Sequence, residues 1–129
     1  MATRKVLVLV SGVLQEIATS DALIVVSPVD SSFTSTSHTL ALAQAGAICV
    51  CSNAATQSIT FPPNSSVPFP IGGSITLLQA GAGKVTAVAG AGVTLISKAS
   101  KLSTNGQGVA ITAIKTGTDT WYVAGDLTT

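Results

Sequence analysis

The sequence predicts an all-β protein: a short strand-turn-strand segment, then a small antiparallel β-barrel or β-sandwich. Two observations carry the fold. Apolar runs are short, rich in Val, Ile, Leu and Thr, and bounded at regular intervals by Gly, Ser, Asn and Pro, the punctuation of sandwiches and barrels. The clearest pair, Val109–Ile114 and Thr120–Val123, flanks a turn-rich Lys115–Asp119, as strands joined by a turn do. A third observation concerns the surface. Only 9% of the 129 residues are charged, against about a quarter in an ordinary soluble domain, and mean hydropathy is +0.60. No apolar run is long enough to cross a bilayer as a helix. So little ionic surface is expected to be covered by copies of the same chain or by another protein.

The elements follow in order. Arg4-Lys5 ahead of Val6–Leu14 imitates a secretory signal, but Ser11-Gly12 interrupts the apolar run and Gln15-Glu16 falls where a cleavage region should be small and uncharged. Lys5–Val10, Ser11-Gly12 and Val13–Ile17 instead predict strand, turn and strand, with a further strand over Ala22–Val26. Residues 1–30 form this first unit. Residues 31–38, dense in Ser and Thr, are expected to be a linker, and 39–129 the β domain. Leu42-Ala43-Gln44-Ala45-Gly46-Ala47 returns as Leu77-Leu78-Gln79-Ala80-Gly81-Ala82, which suggests an internal repeat of strand, glycine turn and strand. The prolines of residues 62–73 predict a loop or edge. Val93–Ile96 is another strand, and Asn105-Gly106 favours the positive φ of a tight turn.

Little in the chain suggests chemistry. Gly81-Ala82-Gly83-Lys84-Val85-Thr86 resembles a phosphate loop, but Val85 stands where the magnesium-binding hydroxyl belongs and Leu78 where the first glycine belongs. A hairpin turn is the expectation. Cys49 and Cys51 share one strand face; a bridge across one intervening residue would be strained, so two buried thiols are expected. His38 is the one histidine. Either it is an ordinary linker residue, or three copies meet on a symmetry axis. No carboxylate pair or nucleophilic triad stands out, so no catalytic residue, cofactor or metal is expected and an enzyme is not. A net charge of +1 and scattered lysines offer nothing to nucleic acid. Of Trp121-Tyr122, one ring must face in and one out. Trp121 is the expected core filler, with a ligand-stacking ring as the other possibility.

The ordered set Thr39-Leu40-Ala41-Leu42, Gln44-Ala45-Gly46, Thr60-Phe61-Pro62, Phe69-Pro70-Ile71-Gly72, Gln79 to Thr86, Gly92-Val93-Thr94-Leu95 and Trp121-Tyr122-Val123-Ala124-Gly125-Asp126-Leu127 resembles a small β domain of tailed-phage virion proteins. It occurs at or near the ends of tail fibres and similar structural proteins. The opening unit, with Gly12 to Ile17 and Ser20-Asp21-Ala22-Leu23, is similar to the leaders of phage fibre, head-fibre and decoration proteins. The resemblance implies a virion component, commonly a homotrimer, docked at one end on capsid, collar or tail after assembly in the bacterial host cytoplasm. With only a short linker and no shaft, a compact spike or decoration is expected rather than a long fibre. Docking is expected through Arg4, Lys5, Val6, Leu7, Val8, Leu9, Val10, Leu14 and Ile17. The alternative is a receptor- or glycan-binding tip, its exposed loops carrying Asn105, Gln107, Thr118, Asp119 and Tyr122. Neither nucleic acid nor membrane insertion is expected.

Overall fold

The structure, a computed structural model, describes residues 7–10, 13–16 and 27–129. Strands β1 (Leu7–Val10) and β2 (Val13–Glu16) pair antiparallel, in a register that sets Leu9 opposite Leu14. The two strands agree with expectation; the turn expected at Ser11-Gly12 lies outside the described residues. Arg4, Lys5, Val6, Ile17 and the strand expected over 22–26 lie outside the described residues.

The rest is an all-β sandwich. Its strands are β3 (Val29–Phe33), β4 (Ser37–Thr39), β5 (Ile48–Cys51), β6 (Gln57–Phe61), β7 (Ser74–Gln79), β8 (Val85–Ala89), β9 (Thr94–Ser97), β10 (Ser103–Thr104), β11 (Ala110–Gly117), β12 (Thr120–Gly125) and β13 (Leu127–Thr128). The larger, six-stranded sheet runs β3-β5-β7-β11-β12-β9, and the smaller, five-stranded sheet β13-β10-β8-β6-β4.

Sandwich architecture agrees with expectation; strand direction differs. From β3 to β8 the chain changes sheet at every step, so sheet neighbours are not consecutive strands and run parallel. Val29, Ile48 and Thr76 are successive neighbours in the larger sheet, and His38, Ile59 and Ala87 in the smaller. The first half is therefore a short stack of coils, and antiparallel pairing is confined to the second half of the body. There β7, β11 and β12 pair antiparallel, as do β8, β10 and β13.

Coils stack through their corners. Ser52 N–H donates to the Phe33 carbonyl at 3.2 Å, Ala80 N–H to that of Cys51 at 2.8 Å, and Gly83 N–H to that of Asn53 at 3.0 Å. A Cβ at Gly83 would overlap the Ala55 carbonyl oxygen, and one at Gly81 that of Asn53. The Gly81–Lys84 string is thus a corner between two sheets rather than a hairpin turn, its glycines set by contact with the coil before it. Residues 31–38 are likewise no linker. They supply most of β3 and all but the last residue of β4, the first coil, and bury Phe33 completely. The Gln-Ala-Gly-Ala similarity has no structural counterpart, since Gln44 lies in a 3₁₀ turn and Gln79 ends β7. In the turn after β10 the positive φ belongs to Gly108, not Gly106.

Alternation builds the core. β6 and β7 bury every second residue, placing Gln57, Ile59, Phe61, Ile75, Leu77 and Gln79 inside. The two glutamines satisfy polar groups at the corners from inside the core. Gln57 Nε2 donates to the carbonyls of Phe33 and Ser35, both at 2.8 Å, and its Oε1 accepts from Asn53 N–H at 3.0 Å. Gln79 Oε1 accepts from the Thr104 hydroxyl, and Thr104 Oγ1 in turn accepts from Val85 N–H at 3.0 Å. At the other end, Trp121 packs edge-on against Phe61 and Phe69, with ring centroids 5.0 and 5.5 Å away.

Cys49 and Cys51 are buried and unbridged, as expected. Desolvation pushes their thiols up to about 12 and about 11, Cys49 further raised by the nearby Cys51 and Asp30. Unfolded thiols ionise near pH ~8.5. Their contribution to stability is therefore intact below that pH and lost as pH rises toward the folded values. A disulfide reagent at pH 8 is expected to label neither thiol in the folded chain and both after denaturation. Rapid native labelling would show that the strand is not buried.

Candidate functional site

The feature that stands out is a surface. Because inward positions of the larger sheet hold Cys49, Leu77, Ile111, Ala113, Trp121 and Val123, the alternate positions point away from the core. These are Ile48 and Val50 on β5, Thr76 and Leu78 on β7, Thr112 and Ile114 on β11, Tyr122 and Ala124 on β12, and Ile96 on β9. Among the described residues no charged side chain lies on this face. Ile96, Tyr122 and Ile114 are direct cross-strand neighbours, 36%, 48% and 42% exposed. Across six strands such a face is about 25 Å wide. The face is apolar apart from a row at Thr76 and Thr112, whose hydroxyls lie 3.2 Å apart.

The opposite face differs. Ser37, Ser58, Thr86, Ser103 and Thr128 are successive neighbours across the smaller sheet, and the Thr86 and Ser103 hydroxyls bond at 2.8 Å. Thr39, Thr60 and Val88 form a second row. One broad face is thus apolar and the other hydroxylated.

The expected exposed loops do not form one site. Asn105 and Gln107 precede β11, whereas Thr118 and Asp119 follow it, so the strand's length separates the two pairs. Asn105 Nδ2 donates to Asp126 at 3.2 Å and Gln107 Nε2 to the Ala80 carbonyl at 2.9 Å. Asp119 is half-buried and accepts from Asn64 N–H at 2.7 Å. Thr118 and Tyr122 are exposed, and Trp121 is in the core. His38, only half-buried, stacks on Phe33 with ring centroids 3.9 Å apart.

Sequence reasoning missed Lys115. It is 1% exposed, beside Trp121 across the ladder, and its Nζ donates to Asn64 Oδ1 and the Phe69 carbonyl, both at 2.7 Å. It ties the proline-rich loop of residues 62–73 to the sandwich from inside. The inward parity of β11, counted from Ile111 and Ala113, is the signal that could have found it.

A groove opens at the larger sheet's outer edge, where β9 gives way to a 3₁₀ turn (Lys98–Ser100). Two connected hollows of about 440 and about 220 Å³ share Lys98, Gly125 and Leu127. Tyr122 and Ile96 line the larger and Lys101 and Asp126 the smaller. No group of three or more His, Cys, Asp or Glu residues able to hold a metal ion occurs among the described residues. No family model, curated protein or solved structure matches this chain.

Proposed function

We propose that this chain is a small structural component of a tailed-phage virion. It self-associates, as a trimer, through the outer face of its larger sheet, and residues 1–30 dock it on capsid, collar or tail. The observation that carries the self-association is the uncharged apolar face over β5, β7 and β11, with Ile48, Val50, Leu78 and Ile114 outward. Burying such a face is worth about 25 cal/mol per Å² of apolar surface removed from water, and like faces meet most simply about a symmetry axis. The hydroxylated face is then left to solvent. The virion role rests on the ordered motifs from Thr39 to Leu127 and on the leader-like opening segment.

Sedimentation of the full chain at micromolar concentration tests the association. An oligomer, expected to be a trimer, should convert to monomer in Leu78→Lys, on β7 in the middle of that face, because a lysine at the centre of an apolar contact must be desolvated. Thr39→Lys, on the exposed edge of the hydroxylated face, should leave the oligomer intact. A wild-type chain that sediments as a monomer would overturn the association. Failure of the full chain to bind purified phage particles lacking it would overturn the virion role.

A further inference from the structure

We propose that the groove beside β9 is a binding site for an acidic saccharide, a sugar ring carrying a carboxylate. It is independent of the virion role and centres on β12 and β9, at the edge of the sheet whose β5 and β7 carry the middle of the self-association contact; Tyr122 and Ile114 adjoin. Four observations converge there. The first is strain: Ala99 and Ser100 have φ of 55° and 57°, consecutive left-handed residues without a glycine. Such backbone costs free energy and persists where the surroundings hold it, commonly at binding sites. Here it turns the chain back after Lys98 so that Lys98 and Lys101 border one hollow.

The second is shape: the two hollows share Lys98, Gly125 and Leu127, so the groove runs on from its apolar wall to the lysines. A third is charge. Neither Lys98 nor Lys101 makes an ion pair with a described residue, and Asp126, the one carboxylate in the lining, already accepts from Asn105. Finally, Tyr122 offers an exposed ring on the apolar wall, the amphipathic surface on which a sugar's C–H face stacks. The hollows are large enough for one or two sugar rings. A flat ring beside a pair of ammonium groups matches a hexuronate better than an extended peptide, whose recognition would use a regular strand edge. Beyond Ser97 the edge is lost to the left-handed turn.

The test is titration of the isotope-labelled full chain with tri-galacturonate, neutral maltotriose and tri-glutamate, followed by amide shifts. Tri-galacturonate is expected to move residues 96–101 and 122–127 in a saturable way, with maltotriose at least about fivefold weaker. Lys98→Ala and Lys101→Ala should each weaken binding by about two- to fivefold, the range of an exposed ion pair. Tyr122→Ala should abolish it, with the remaining amide spectrum retained. Ala99→Gly relieves the left-handed strain; it should raise the unfolding midpoint while weakening binding. Absence of saturable shifts, or shifts spread over Lys84 as well, would overturn the site. Equal binding of tri-glutamate would overturn the saccharide assignment in favour of an acidic peptide.

Discussion

Gly83→Ala is expected to destabilise the sandwich by about 3 kcal/mol or more. The added Cβ would overlap the Ala55 carbonyl oxygen and lie 2.8 Å from that of Asn53. Both atoms are backbone, so no side chain can swing aside. Relief requires the third coil to lift from the second, which lengthens the 3.0 Å bond from Gly83 N–H to Asn53 and the 2.8 Å bond from Gln57 N–H to Lys84. For a body of about 100 residues the unfolding midpoint should fall by roughly 12–20 °C. Gly46→Ala is the comparison: it has positive φ but open space around the Cβ, so its cost is limited to backbone strain of about 1 kcal/mol. Equal melting of the two variants would mean that the corners do not stack as described.

Trp121→Ala is expected to cost about 3–5 kcal/mol, the range for removing a buried aromatic. Trp121 is 1% exposed, and its loss leaves Phe61 and Phe69 without their edge-to-face partner. It also uncovers Lys115, whose Nζ lies 6.0 Å from the Trp121 ring centroid. Water reaching that ammonium would compete for Asn64 Oδ1 and the Phe69 carbonyl, so the proline-rich loop should loosen as well. Amide exchange in residues 64–72 should accelerate in this variant more than exchange in β6. Tyr122→Ala, one residue away and outward, should change stability by less than about 1 kcal/mol.

These two variants mark where the sequence was legible. Side-chain parity is local. Trp121 in, Tyr122 out, and both cysteines on one buried face follow from alternation along a strand, and the structure has them so. The β11-β12 pair, joined by a short turn, was also readable, because short turns tie antiparallel neighbours together. The first coil was not. Ser31-Ser32 on β3 and Ser37-His38 on β4 have little apolar content, and read as linker. They are strands because the second coil offers them ladder partners at Cys49, Cys51 and Ser58–Thr60. Likewise the Gly81–Gly83 string signals a turn, but not whether the chain turns back in its own sheet or crosses to the other.

What the sequence determined alone, then, was composition and parity: an all-β chain, few charges, and each strand's inward and outward residues. Tertiary structure decided which strand sits beside which, and so the parallel coils, the uncharged apolar face shared by β5, β7 and β11, and the separation of Asn105 from Asp119. It also decided the meeting of Lys98, Lys101, Ser97 and Tyr122 around one groove. The reason is one of range. Alternation is enforced by each residue's own backbone geometry, whereas strand pairing depends on contacts between segments far apart in the chain, which no local pattern encodes.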